Sequence, residues 1–133
     1  MKKNNLKKQN IQFLKDEGFV FDFRANGNGI YPSLGDDVLI NFELRYQDDN
    51  RFITSSKNTP QLIKILGFNK NLLKGLVLAL LVMDEGSSAR IKIPKKYNTS
   101  LDNRIIKNIS KEKDLELDIM FIRLFKLKKQ TEK

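Results

Sequence analysis

The segment from Leu72 to Pro94 places the strongest constraint on what this chain can fold into. Its first half is apolar at almost every position, and large side chains recur every three or four residues, which predicts a helix that stops by Gly86. In its second half, apolar residues from Ala89 to Ile93 alternate with polar ones, which predicts a strand with one buried face. A helix that is apolar on all sides must be covered on all sides. We therefore predict a short central helix enclosed by the rest of the chain.

Alternating apolar residues predict further strands before and after this segment. They lie at residues 19–23, 38–46, 51–55, 62–65 and 115–121. Asp48–Asn50 is a turn signal that makes a hairpin of the strands on either side of it. Strands, one short helix and strands again predict an α+β fold, an antiparallel half-barrel wrapped around one central helix.

The length of 133 residues suits one domain with its own core. We predict a lysine-rich N-terminal extension at residues 1–17, a domain at 18–127 and a charged tail at 128–133. The extension is predicted either as a helix or as a disordered arm. Because the central helix needs cover, we expect either a second copy of the chain (a homodimer) or the extension to lie on it, the extension through Leu6, Ile11, Phe13 and Leu14.

Two residue types that carry much of enzyme chemistry are missing. The chain has no histidine and no cysteine, which removes the commonest general base, the commonest metal ligand and thiolate chemistry. Asp84 and Glu85 form a carboxylate pair, which we interpret as a solvated turn before Gly86. The loop at residues 26–29 lacks the lysine and the helix of a phosphate-binding loop. We predict no catalytic acid or base, no metal site and no cofactor.

The chain carries 25 Lys and Arg against 16 Asp and Glu, a net charge of +9 concentrated at both ends. Such a field attracts nucleic acid or ribosomes, although aromatic residues are not interleaved with the lysines as a stacking platform requires. A lysine-rich solubilising surface is the simpler interpretation. The first residues lack the apolar stretch of a secretory signal, and no apolar run reaches the length of a membrane span, so we predict a cytoplasmic protein if the N-terminus is native.

From Gly27 to Leu124 the order of motifs resembles the FKBP-type peptidyl-prolyl cis-trans isomerase family. The resemblance is carried by Gly27-Asn28-Gly29, Pro32, Gly35-Asp36, Phe52 with Ser55-Ser56, Leu66-Gly67, Leu73-Lys74-Gly75-Leu76, Met83 with Gly86, Ile93-Pro94 and Leu117-Asp118-Ile119. It implies a pocket that binds proline-containing polypeptides. Carried over position by position, that pocket falls on Phe42, Phe52, Ile53, Leu62, Leu72, Leu73, Leu76, Tyr97 and Leu117.

Several of these positions depart from the family pattern. Phe42 replaces a tyrosine, Ile53 replaces the aspartate beside the bound ligand, and Leu76 replaces the tryptophan of the pocket floor. The family's Ala-Tyr-Gly after Ile-Pro is absent: its tyrosine falls near Thr99, or on Tyr97 if the loop is two residues shorter here. The resemblance thus implies a pocket that keeps its shape but loses polar groups, and we expect the family's macrolide inhibitors to bind poorly.

Two functions follow from the resemblance. The first is a peptidyl-prolyl cis-trans isomerase of reduced activity that acts on folding proteins, which requires no acid, base or metal. The second is a catalytically inactive chaperone or protein-binding module of the same fold. Ribosome or nucleic-acid association through the lysines is a third interpretation, and it predicts affinity that falls steeply with salt.

Overall fold

The computed structural model describes residues 2–56, 59–65, 74–97 and 112–127, with side chains from residue 9 onward. The helices are α1 (Lys2–Asp16) and α2 (Lys74–Leu81), with a short 3-10 helix at Lys95–Tyr97. The strands are β1 (Val20–Ala25), β2 (Asp37–Tyr46), β3 (Phe52–Ser55), β4 (Gln61–Lys64), β5 (Ser88–Ile93) and β6 (Leu115–Phe125). No helix among the described residues is long and apolar enough to cross a membrane.

The strands form one six-stranded sheet in the order β1-β5-β6-β2-β3, and β4 pairs with the other half of the β2 edge. All the pairings are antiparallel. The alternation of apolar residues follows from this arrangement, because successive side chains of a strand point to opposite faces. The predicted α+β class with an antiparallel sheet is confirmed, and so is the β2–β3 hairpin.

One face of the sheet, here called the inner face, carries the hydrophobic core. Its buried side chains include Val38, Ile40 and Leu44 of β2, Ile91 and Ile93 of β5, and Leu115, Leu117, Ile119 and Phe121 of β6. Leu76, Val77, Ala79 and Leu80 of α2 belong to the same cluster. The opposite, outer face is polar and is crossed by ion pairs such as that of Arg90 with Asp118, 3.0 Å apart. The central helix is therefore enclosed on its sheet side as its sequence required.

The N-terminal helix covers another side of α2. Leu14 of α1 is buried in the core cluster, and Ile11 packs against it. Phe13 remains 57% exposed. Asn10, Phe13 and Leu14 line one side of a cavity of about 190 Å³, with Leu78, Leu81 and Val82 on the other. Residues 2–16 are thus a helix that supplies part of the cover for α2, while the side chain of Leu6 lies outside the described residues.

Asp84 and Glu85 lie partly exposed at the turn before Gly86, and their carboxylates also make specific hydrogen bonds. Asp84 accepts a hydrogen bond from the N–H of Gly29 at 2.7 Å. Glu85 accepts one from the Asn28 side-chain amide and one from the N–H of Leu124, each at 2.8 Å. These bonds hold the pKa of Glu85 below its ordinary value, the bond from Leu124 having the largest effect. Both carboxylates therefore fasten the loop after β1 to the rest of the domain.

Candidate substrate-binding cleft

Two of the predicted pocket residues lie on neighbouring strands of the inner face. In the register of β2 with β6, Phe42 pairs with Ile119, and Leu44 pairs with Leu117. Paired residues of adjacent strands place their side chains on the same face, so Phe42 and Leu117 are diagonal neighbours there. Leu117 is buried in the core, whereas Phe42 is half-buried and packs against it. Phe42 therefore lies at the border of the core, as a cleft wall must.

Leu76 and Ile53 join the same apolar surface. Leu76 is buried in the first turn of α2 and belongs to the core cluster that includes Leu117. Ile53 is half-buried and packs against this cluster. It is the unpaired residue of a bulge in β3, because Leu44 pairs with Thr54 and Arg45 pairs with Phe52. The structure thus brings Phe42, Ile53, Leu76 and Leu117 to one hydrophobic cluster.

Phe52 does not join this group. It pairs with Arg45, whose neighbours in β2, Leu44 and Tyr46, are buried on the inner face. The Arg45 guanidinium carbon lies 5.9 Å from the centre of the Phe52 ring. The ring is 48% exposed. The physical reason is the bulge at Ile53, which shifts the register by one residue and leaves Phe52 beside the outward-pointing arginine.

Leu62 also falls outside the group. It pairs with Leu39 on the outer face and is 59% exposed. Its neighbour Ile63 pairs with the buried Val38, is only 8% exposed and points to the core. A shift of one residue in the alignment exchanges the two faces of a strand. The alternation of Ile63 and Ile65 is the sequence signal for the inward residues of this segment, and a role of Leu62 in substrate binding stays a prediction.

Tyr97 lies at the edge of the core, but its hydroxyl is engaged. The hydroxyl donates a hydrogen bond to Oε1 of Glu17 at 2.7 Å. This bond, together with burial, raises the pKa of Tyr97. The ring packs against Phe19, with centroids 5.3 Å apart. In this structure the Tyr97 hydroxyl is thus bonded within the chain, and its role in substrate binding stays a prediction. Leu72, Leu73 and Thr99 lie outside the described residues.

The four residues offer apolar contacts and no acid–base group: Phe42 and Ile53 are half-buried, whereas Leu76 and Leu117 are buried in the core. The residues that the structure brings together are all aliphatic or aromatic. In the described part of the chain, no three carboxylates come close enough to hold a metal ion. A depression of about 410 Å³ is lined by Phe42 and Ile119 together with polar residues such as Arg24, Asn41 and Glu43. Phe42 therefore belongs both to this depression and to the apolar cluster.

The fold is similar to those of solved FKBP-type proteins. FkpA from Escherichia coli superposes with a TM-score of 0.67 at 17% identity, covering 93% of this chain and 59% of that one. A multi-domain immunophilin from Arabidopsis thaliana gives a TM-score of 0.71 at 17% identity, with 85% and 45% covered. The N-terminal domain of FKBP42 from Arabidopsis thaliana gives 0.65 at 18% identity, with 80% and 85% covered. The chain thus spans about half of the first two proteins, and at these identities the likeness concerns the fold.

No curated protein matches the chain in sequence. A family model, that of the FKBP-type peptidyl-prolyl cis-trans isomerases, matches residues 29–122. This range begins before β2 and ends within β6, so it contains α2 and every residue of the apolar cluster described above. The motifs, the enclosed helix and the family model agree, and the chain belongs to the FKBP-type peptidyl-prolyl cis-trans isomerase family.

Proposed function

We propose that this chain is a peptidyl-prolyl cis-trans isomerase of reduced activity that acts on X-Pro bonds of folding polypeptides. The observation that supports this most directly is the apolar cluster of Phe42, Ile53, Leu76 and Leu117, which lies within the matched residues 29–122. The ring of a proline is itself apolar and fits a surface of this kind. The substrate class is therefore a proline-containing polypeptide.

Such a surface supports isomerisation without an acid, a base or a metal. Rotation about a peptide bond is opposed by about 18–20 kcal/mol because the planar amide is stabilised by resonance. The planar form is more dipolar than the rotated one, so a dry apolar cleft favours the rotated amide relative to the ground state. The half-buried Phe42 ring would pack against the prolyl ring, and Leu76 belongs to the core against which Phe42 packs. This requires only side chains that the cluster contains.

The departures from the family pattern support a low rate. Ile53 supplies no carboxylate to the bound peptide, and the hydroxyl of Tyr97 is bound to Glu17. Each substrate hydrogen bond that is lost costs about 1 kcal/mol, or roughly fivefold in rate. These departures equally favour the alternative function, an inactive module that binds polypeptides through the same cleft.

A matched pair of variants tests the proposal. Phe42→Ala and Phe52→Ala each remove a phenyl ring. The first ring lies at the cleft wall and the second lies at the exposed position beside Arg45. NMR exchange spectroscopy on a series of X-Pro peptides measures the isomerisation rate for each. We expect kcat/KM to fall at least about tenfold for Phe42→Ala and less than about twofold for Phe52→Ala, because truncating a buried aromatic contact costs about 1.4 kcal/mol or more.

The same experiment separates the two functions. A wild-type chain that gives peptide-induced shifts in the cleft without exchange above background is the binding module. A wild-type chain that shows neither overturns both proposals. Binding that weakens steeply with salt would instead favour the nucleic-acid interpretation, because an apolar cleft responds little to ionic strength. A homodimer, a cytoplasmic location and poor macrolide binding stay predictions.

A further inference from the structure

The turn that follows β5 is held by parts of the chain that are distant in sequence. The N–H of Tyr97 donates to the carbonyl of Pro94 at 2.9 Å, which closes the turn. The N–H of Lys95 donates to Asp114 at 2.8 Å, which ties it to the start of β6. Gly18 lies so close that an added Cβ would be 3.3 Å from the ring of Pro94. The turn is therefore fixed in position by the residues directly after α1 and directly before β6.

Glu17 is the centre of the contact with α1. Its carboxylate accepts the hydroxyl hydrogen bond of Tyr97 at 2.7 Å and lies 2.8 Å from the ammonium group of Lys96. These partners, Lys96 first, hold the pKa of Glu17 below its ordinary value, so it is charged when it holds them. The Glu17 side chain is 30% exposed, which leaves the bonds partly shielded from water.

Tyr97 in turn lies against the first turn of α2. A Cβ added at Gly75 would be 3.1 Å from the carbonyl oxygen of Tyr97 and 3.4 Å from its Cβ. The ammonium group of Lys74 lies 5.8 Å from the Tyr97 ring. Leu76, a buried member of the apolar cluster, is the next residue of the helix. A shift of Tyr97 is therefore transmitted to the start of α2 and to Leu76, since the contact leaves no gap.

We infer that Glu17 is a positioning residue for the cleft: it holds Tyr97 through the hydroxyl hydrogen bond, and Tyr97 fixes the first turn of α2 with Leu76. This inference rests on the proposed function. Glu17 lies before the matched residues 29–122, so the end of the N-terminal helix is a working part of the binding unit rather than an appendage.

The test compares Glu17→Ala, Tyr97→Phe and the double variant, with Glu17→Gln as the conservative replacement. Asp16→Ala is the matched control, because Asp16 is a carboxylate at the same helix end whose bond goes to Gln12. Isomerisation of an X-Pro peptide and peptide binding are measured well below the melting temperature of each variant. Amide shifts of residues 74–76 in the free protein report the position of α2 directly.

We expect Glu17→Ala and Tyr97→Phe each to lower kcat/KM about fivefold, the effect of one lost hydrogen bond. The double variant should lose no more than either one, because both remove the same bond. Glu17→Gln should recover to within about twofold, since its amide oxygen still accepts the hydroxyl. The backbone amide chemical shifts of residues 74–76 should change in Glu17→Ala and in Tyr97→Phe. They should remain as in the wild type in Asp16→Ala.

Several results would overturn the inference. If the wild type is active and Glu17→Ala matches it in kcat/KM, Glu17 does not position the cleft. Additive losses of kcat/KM in the double variant would also refute it. So would unchanged amide chemical shifts at residues 74–76, because a purely stabilising role of Glu17 predicts a lower melting temperature and no other change. A wild type with neither activity nor peptide binding overturns the proposed function, and this inference with it.

Discussion

Gly75→Ala tests how closely the central helix is packed against the sheet beneath the cleft. A Cβ on Gly75 would lie 2.5 Å from Cγ2 of Ile93, where ordinary contacts are 3.4–4 Å. Ile93 is β-branched and fully buried, so its side chain has no free rotamer into which it could turn. On the other side, the carbonyl of Tyr97 is backbone and cannot swing away. The helix itself must therefore move, and Leu76 with it.

The net effect is worked out from two opposing contributions. An alanine in place of a helical glycine stabilises an exposed helix by about 1 kcal/mol. Overpacking a closed core costs about 1–3 kcal/mol, and the backbone contact at Tyr97 favours the upper half of that range. We therefore expect the free energy of unfolding to fall by about 1–2 kcal/mol. For a domain of this size the melting temperature should drop by roughly 4–8 °C.

Urea unfolding followed by circular dichroism measures this change. Ile93→Ala is the partner variant, because it removes the side chain that the new Cβ meets, and alone it should cost about 2–5 kcal/mol. Gly75→Ala combined with Ile93→Ala should cost less than the sum of the two, since the added methyl group then occupies vacated space. A Gly75→Ala protein more stable than the wild type, or strict additivity in the double variant, would refute the packing argument.

Two further predictions concern carboxylates that hold the domain together. Asp36 is 3% exposed and accepts backbone hydrogen bonds from Ser33 and Leu127; burial alone would raise its pKa, but these bonds and Lys126 outweigh burial and lower it. Since the folded pKa lies below the ordinary value, the contribution of Asp36 to stability is complete near neutral pH and is lost as the pH falls through the folded pKa. The difference in unfolding free energy between wild type and Asp36→Asn, measured by urea titration, should therefore shrink as the pH falls below the ordinary pKa of 3.8. A constant difference would contradict this. Glu85→Ala should lower the free energy of unfolding by about 1–3 kcal/mol in the same titrations, because the N–H of Leu124 is left without its acceptor. An unchanged urea midpoint would show that water replaces the carboxylate.

The sequence predicted the fold well where a pattern is local. The alternation from Val38 to Tyr46 gave β2 nearly to the residue, and the apolar run before Gly86 gave α2. Such patterns are reliable because they record which side of an element is buried. The end of α2 was predicted less well: the helix stops at Leu81, and tighter bonds from Val82 to Ala79 and from Met83 to Leu80 close it before the glycine.

The candidate site was harder to predict, because its geometry depends on register and on distant contacts. One bulged residue, Ile53, decides that Phe52 lies beside Arg45, and no local pattern marks it. The bond between Glu17 and Tyr97 joins residues 80 positions apart in sequence. Neither the bulge nor the hydrogen bond can be predicted from residue spacing, because the sequence of a strand does not show in which register it pairs.

β6, the last of the described strands in chain order, lies in the middle of the sheet. β6 lies between β5 and β2 and pairs along nearly its whole length with β2. Before residues 115–125 are synthesised, the pairings available to the other described strands are β1 with β5 and β2 with β3 and β4, which are two separate sheet fragments. Each fragment leaves a long pairing edge open, and an open edge of this kind favours association with other chains until β6 fills the gap.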